Sequence, residues 1–170
     1  VKLDEILKFL FNSSEKVLVK LLNSIFDENF NEDEVSVTIT NSEFVEDTLE
    51  ILRGDMFFKI FDKSNFEKHK MNYHLEFQTK NDNTMIIRMF EYDSQIAIDS
   101  AVIDGNRLII KFPNSAVLYL RSNSNTPDIM QVQIETPGGS IFYDVHVIKI
   151  NNYTIDDIFD KELYFYIPFY

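Results

Sequence analysis

The chain has 170 residues, 45% of them hydrophobic and 14% aromatic, a composition that excludes a disordered segment and suits one domain with a core. It contains no cysteine, which excludes a disulfide framework, a thiolate nucleophile and a cysteine-bearing zinc site, so we expect a reducing, cytoplasmic setting. The net charge of −12 argues against strong long-range attraction to nucleic acid, although concentrated carboxylates are also what a Mg²⁺ site requires.

Two helices are predicted at the start of the chain. Apolar residues at helical spacing predict a short helix over 4–11 and a second helix over 15–26. Polar residues interrupt the pattern between them, and Ser13 or Ser14 is expected to cap the second helix. The acidic segment 27–34 is then interpreted as a loop.

A meander of three strands is predicted next. Residues 35–44 alternate in polarity, and residues 51–62 are rich in β-forming side chains, with a turn expected over 46–49. The third strand is expected over 71–79. The polar segment 63–70 before it is interpreted as a hairpin loop.

The second half of the chain is predicted to contain one longer helix, further strands and a final short helix. The longer helix is expected from Thr84 to about Val102, capped by the polar residues 81–83. The turn residues Pro137, Gly138 and Gly139 predict a hairpin, and the last helix is expected to start at Thr154. The four predicted strands are 107–112, 116–122, 129–136 and 141–150.

No feature of the sequence divides the chain into parts. There is no internal repeat and no linker rich in proline and glycine, so residues 1–170 are interpreted as one domain. No stretch approaches about 18 uninterrupted apolar residues, and we expect no membrane-spanning segment. Because the chain does not begin with Met, we expect it to be the N-terminal part of a longer protein.

Two acids are the strongest candidates for chemistry. Asp55 leads the second strand of the meander, and Glu76 lies in the third. If these strands are neighbours, the two carboxylates meet at one point, which is how an all-oxygen Mg²⁺ site is usually built. Side chains alternate along a strand, so one polar face is expected, with the apolar residues on the other. The polar face contains His74, Glu76, Gln78 and Lys80, of which His74 is interpreted as a packed or exposed polar residue.

The predicted order of elements matches a known nuclease core. A helix, a three-strand meander, a helix and a strand form the αβββαβ core of the PD-(D/E)XK restriction-endonuclease-like fold, an α/β (α+β) architecture, here with extra C-terminal strands and a short helix. Segments along nearly the whole chain carry a closer resemblance: LDEILKFLF, LLNSIF, GDMFFKI, HLEFQTK, IIRMFEYD, IKFPNSAVLYL and YFYIPFY. These segments are similar to the Rpn-type recombination-promoting nucleases, a transposase-like group with this fold.

The resemblance implies a role for each residue of the motif. Asp55 and Glu76 match the two acids that bind the metal, together with the backbone carbonyl of Phe77. Gln78 departs from the pattern, because most of the superfamily has Lys at this position. Its neutral amide can position water and contact phosphate but supplies no charge, so Lys80 is a candidate for the missing cation.

Two further pairs are candidates for supporting roles. Asp4 and Lys8 are one turn apart on the opening helix, where they could assist metal or phosphate or form an exposed helix pair. Arg88 and Tyr92 are one turn apart on the longer helix. They could contact a phosphodiester, or Arg88 could pair with Glu91 or a core carboxylate and be purely architectural.

Two functions follow from the resemblance. The first is an endonuclease that hydrolyses DNA with Mg²⁺ or Mn²⁺, in recombination, mobile-element biology or defence. Cutting both strands would require two copies, so a homodimer is among the expectations. The alternative is a nuclease-fold domain that has lost cleavage and acts as a protein-interaction or regulatory module, which the acidity and Gln78 favour.

Overall fold

The described residues form a mixed α/β structure. The computed structural model describes residues 13–40 and 54–169, and at positions 40, 54, 55, 65–70 and 168 it describes the backbone only. Six strands form one mixed sheet, and two more form a separate hairpin. Within this described part of the chain, no helix is long and apolar enough to cross a membrane.

The first described helix, α1 (Glu15–Phe26), has the predicted bounds. Ser14 is its N-cap residue, but the Ser14 side chain forms no capping hydrogen bond, so the packing of the apolar face stabilises the helix. The helix predicted over 4–11 lies outside the described residues, and Asp4 and Lys8 lie there with it. Six residues of α1 are buried: Leu18, Val19, Leu21, Leu22, Ile25 and Phe26.

The predicted meander is confirmed, with one correction. Strands β1 (Val35–Thr40), β2 (Gly54–Asp62) and β3 (Asn65–Gln78) pair antiparallel in that order. The loop predicted over 63–70 is wrong, since only a two-residue turn separates β2 from β3. The polar segment belongs to β3 because backbone hydrogen bonds to a partner strand can extend a hairpin without apolar side chains. The turn predicted over 46–49 lies outside the described residues.

The longer helix is shorter than predicted. Helix α2 (Met85–Asp99) follows Thr84, whose backbone N–H and hydroxyl donate to Asp82 Oδ1 at 2.8 and 2.7 Å. Its end comes before Val102, which instead begins β4 (Val102–Asp104). That strand pairs with β5 (Arg107–Ile109) around Gly105, whose positive φ of 61° suits a residue without a side chain. The strand predicted over 107–112 is therefore reduced to β5, outside the main sheet.

The remaining strands complete the main sheet on the far side of β3. Strand β6 (Asn114–Tyr119) is parallel to β3, and β8 (Gly139–Lys149) is parallel to β6. Strand β7 (Ile129–Thr136) has the predicted bounds and forms the predicted hairpin with β8. The strand order is β1-β2-β3-β6-β8-β7.

A short helix with a capping box follows the sheet. Helix α3 (Ile155–Asp160) has Thr154 as its N-cap residue, in agreement with the sequence prediction. Two 3-10 segments, Ile150–Asn152 and Tyr164–Phe169, flank it. The aromatic C-terminal segment packs into the core beside α1, where Phe165 and Tyr166 are buried.

The sheet separates two different environments. On one face, α1 packs on an apolar layer that includes Tyr73, Leu75 and Phe77 of β3. On the other face, α2 packs with Met85 and Met89 against a smaller apolar cluster of β6 and β8. The alternate residues of β3, among them Glu76, face α2. The predicted division into an apolar and a polar face is thus confirmed for residues 73–78, whereas Lys80 lies beyond the end of β3 and the prediction for it is wrong.

The apolar face under α1 should dominate stability. We expect Leu22→Ala, at a residue with 0% exposure, to lower the free energy of unfolding by about 2–5 kcal/mol because it leaves a cavity. The matched control is Ile98→Ala on α2, where the side chain is 59% exposed and the loss should stay below about 0.5 kcal/mol. Denaturant unfolding measures both, and equal losses would contradict this packing.

Candidate active site

The strand register brings the two predicted acids together. Asp55 of β2 is directly opposite Glu76 of β3 in the antiparallel pair. Residues directly opposite one another in such a pair share a face of the sheet and are nearest neighbours across the strands. The strands that carry the two acids are therefore neighbours, and Asp55 is the register partner of Glu76, as the sequence predicted.

Glu76 is buried and only partly compensated. Its side chain is 2% exposed, and its Oε1 accepts a hydrogen bond from Nη2 of Arg88 on α2. The second oxygen, Oε2, has no hydrogen-bond partner among the described groups. A buried carboxylate oxygen without a partner is unfavourable, so this atom is available to a cation or a donor.

Arg88 also reaches a second acid. Its Nη1 lies 3.5 Å from Oδ2 of Asp82, which precedes α2. The Arg88 side chain is 23% exposed and that of Asp82 is 33% exposed, whereas Glu76 is buried. Arg88 therefore bridges an inner carboxylate and an outer one. Of the roles considered from sequence, pairing with a core carboxylate is the one observed.

The charge on Asp82 is stabilised locally. The hydroxyl of Thr84 lowers the pKa of the Asp82 carboxyl most, the backbone N–H of Thr84 lowers it further, and the positive charge of Arg88 contributes last. Asp82 is therefore ionised at neutral pH. It gives the outer end of the Arg88 bridge a permanent negative charge.

Gln78 and Lys80, two and four residues after Glu76, lie in different surroundings. Gln78 is half-buried at the end of β3, with its amide nitrogen 3.8 Å from Sδ of Met85. Lys80 is exposed in a bend beyond the strand, so strand alternation does not carry it onto the Glu76 face. In the described part of the chain it forms no ion pair. The ring of Phe77 is buried on the α1 side, and its backbone carbonyl belongs to β3 between Glu76 and Gln78.

Tyr92 does not join Arg88 at Glu76. Its half-buried ring meets the ring of His74 edge-on, with centroids 5.9 Å apart, and that of Phe57 at 6.4 Å. The two helix residues that the sequence grouped together thus contact different residues of the sheet. Tyr92 lies beside His74, two residues along β3 from Glu76.

A buried polar cluster next to this site was missed from the sequence. Nδ1 of His74 lies 2.8 Å from Oδ1 of Asp93, which also accepts from the Ser115 hydroxyl at 2.7 Å. The Tyr143 hydroxyl lies 3.4 Å from the other Asp93 oxygen. Exposure is 0% for His74 and Asp93 and 1% for Ser115. We call these four residues the Asp93 cluster.

The geometry of the Asp93 cluster is that of an anchor. His74 and Ser115 both contact Asp93, and an ionised carboxylate only accepts hydrogen bonds, so both act as donors to it. Burial and the adjacent Asp93 charge raise the pKa of Tyr143, which keeps its hydroxyl a neutral donor. Donors from β3, β6 and β8 thus converge on one residue of α2. This attachment fixes the helix above the sheet and, with it, Arg88 above Glu76.

A signal for Asp93 does exist in the sequence. The buried residues of α2 recur every four positions, at Met85, Met89, Asp93 and Ala97. An acid in the line of an apolar helical stripe must find partners inside the protein. His74, on the polar face of β3, is the partner that this reasoning would have selected.

The oxygen donors fit a hard divalent cation. Among the side chains that the structure describes, no group of three or more His, Cys, Asp or Glu residues could hold a metal. The fit rests on Oε2 of Glu76, which is buried and unpartnered, with Asp55 directly opposite in register. Carboxylate and backbone carbonyl oxygens are the ligands that Mg²⁺ prefers.

No protein-family model, curated protein or solved structure matches the chain. The function of the site is therefore inferred from its own residues and from the sequence resemblance.

The Asp82 carboxyl gives a prediction for pH. We expect Thr84→Val, which removes the donating hydroxyl, to raise the pKa of Asp82 toward its ordinary value. A lowered pKa stabilises the folded state above the ordinary pKa, and that stabilisation is lost as pH falls through the lowered value. The variant should therefore lose less stability on acidification than the parent. An NMR titration measures the pKa, with Thr38→Val, at an exposed residue of β1, as control. An unchanged Asp82 pKa would refute the assignment.

The Asp93 cluster gives a prediction for stability. We expect Asp93→Ala to lower the free energy of unfolding by about 3 kcal/mol or more, because it leaves buried donors without an acceptor. Asp99→Ala, at an exposed acid of the same helix, is the matched control and should be nearly neutral. Denaturant unfolding followed by circular dichroism measures both. Similar losses in the two variants would show that the cluster does not anchor α2.

Proposed function

We propose that the chain is a Mg²⁺- or Mn²⁺-dependent DNA endonuclease that hydrolyses phosphodiester bonds, similar to the Rpn-type group. The observation that carries the proposal is the register that puts Asp55 opposite the buried Glu76, one of whose oxygens is unpartnered. A buried acid with spare acceptor capacity next to a second acid is a costly arrangement for architecture alone.

The order of elements supports the same fold family. Helix α1, the β1-β2-β3 meander, α2 and the parallel strand β6 follow the αβββαβ order of a PD-(D/E)XK core if the β4-β5 hairpin is an insertion between α2 and β6. In this proposal the β7-β8 hairpin and α3 are C-terminal additions. Glu76 then lies on the face covered by α2, and Asp55 is its register partner on the neighbouring strand.

In this proposal, different residues of the chain bind the metal, position the water and bind the phosphate. Asp55, Glu76 and the Phe77 carbonyl would hold the ion, which supplies positive charge to a phosphoryl oxygen and lowers the pKa of bound water. The Gln78 amide orients the attacking water and donates to phosphate. Arg88 supplies the positive charge that Gln78 lacks, and its guanidinium group can bind phosphate oxygens in a bidentate manner.

One observation favours the alternative of a nuclease-fold interaction module. Arg88 neutralises Glu76 without any metal, so the buried acid has a purely architectural explanation. The net charge of −12, which counts every residue of the chain, also opposes DNA binding. Cleavage and metal binding distinguish the two functions, since the module would show neither.

The proposal predicts metal-dependent nicking of supercoiled plasmid. We expect activity with Mg²⁺ or Mn²⁺, none with EDTA, and a loss of at least about 100-fold in Asp55→Ala and in Glu76→Gln. Glu91→Gln is the matched control, because Glu91 is an exposed acid on α2, and it should retain full activity.

Two results would contradict the proposed nuclease. Absence of cleavage by the wild-type protein at low ionic strength, together with absence of calorimetric Mg²⁺ binding, would reject the nuclease and favour the interaction module. Cleavage that survives both acid substitutions would assign the activity to other residues or to a contaminant.

A further inference from the structure

We propose that Arg88 is a resident counter-ion of Glu76 and that a divalent cation must compete with it for this carboxylate. The identity of the cation rests on the proposed function, whereas the ion pair belongs to the structure described above. In this view Arg88 sets the metal affinity of the site and is released when the metal binds.

The competition follows from burial. Glu76 is 2% exposed, and an ionised carboxylate in the protein interior requires a compensating charge. Arg88 provides it through Nη2 and Oε1. A divalent cation on the same carboxylate would lie close to the guanidinium, and like charges at such separations repel strongly where water is excluded. Metal binding therefore weakens or breaks the Arg88–Glu76 pair.

Arg88 has a second position available. Its Nη1 is already 3.5 Å from Oδ2 of Asp82, at the partly exposed rim of the site. Its Nε has no hydrogen-bond partner among the described groups, so no other hydrogen bond from Nε opposes movement of the guanidinium. The adjacent Sδ of Met85, 3.9 Å from Nη2, is a flexible and polarisable neighbour. Displacement by the cation would move the Arg88 guanidinium toward Asp82 at the partly exposed rim. There the guanidinium could bind an incoming phosphate.

The two states make opposite demands on Arg88. Without metal, loss of Arg88 leaves Glu76 buried and uncompensated, which destabilises the fold. With metal, the cation supplies the missing charge and no longer has a competitor. A variant without the guanidinium should therefore be less stable alone and gain more stability from Mg²⁺ than the wild-type protein.

The test compares Arg88→Gln with the wild-type protein in calorimetric Mg²⁺ titrations and in thermal unfolding with and without Mg²⁺, at constant ionic strength. We expect Arg88→Gln to bind Mg²⁺ about tenfold more tightly and to show a larger Mg²⁺-induced rise in Tm. Arg107→Gln is the matched control, since Arg107 is exposed on β5 and pairs with Asp104, and it should behave as wild type. The double variant Glu76→Gln/Arg88→Gln removes both charges and should regain stability while losing the response to Mg²⁺.

Each outcome bears on a different claim. Equal or weaker Mg²⁺ binding by Arg88→Gln than by wild type overturns the competition and leaves the metal site intact. Absence of Mg²⁺ binding in both proteins overturns the metal site and the competition together. If Arg88→Gln is unfolded without metal, refolding on addition of Mg²⁺ supports the inference. An Arg88→Gln protein that stays unfolded at saturating Mg²⁺ overturns it.

Discussion

Two carboxylates buried between the sheet and α2 impose the main physical constraint on this structure. Glu76 on β3 is 2% exposed and Asp93 on α2 is 0% exposed. Neither can remain charged there without partners, because burial removes the hydration that stabilises the ionised form. Asp93 receives three donors from three strands, whereas Glu76 receives one from Arg88. Both oxygens of Asp93 have partners, and these contacts fix the helix, whereas Glu76 retains an unpartnered oxygen.

This difference explains how an acidic chain can combine a stable fold with a buried carboxylate that keeps an unpartnered oxygen. The apolar layer between the sheet and α1 supplies hydrophobic stabilisation and carries no chemistry. The layer between the sheet and α2 contains fewer apolar residues. Charged and polar side chains are buried there beside them. Because the Asp93 cluster holds α2 in one position, Arg88 stays over Glu76. The anchor and the candidate site thus use residues of the same strand and helix, His74 and Glu76 on β3 and Asp93 and Arg88 on α2.

Much of the organisation could be predicted from periodicity, and the failures have physical causes. The bounds of α1, the alternation of β3 and the meeting of Asp55 with Glu76 follow from local patterns that tertiary packing reinforces. The extension of β3 over 65–70 could not be predicted, since it depends on backbone pairing between polar residues. The role of Asp93 could not be predicted from the periodicity of α2 alone. A buried acid in an apolar stripe is identified only when its partners on another element are considered.

The most direct test of the metal site is a crystal of this chain grown or soaked with Mn²⁺, with anomalous diffraction used to locate the ion. We expect one strong peak between the carboxylates of Asp55 and Glu76, with the Phe77 carbonyl beside it and the Arg88 guanidinium moved toward Asp82. An Arg88–Glu76 pair that persists at saturating Mn²⁺, with no peak at these acids, would contradict the account and leave the pair as architecture.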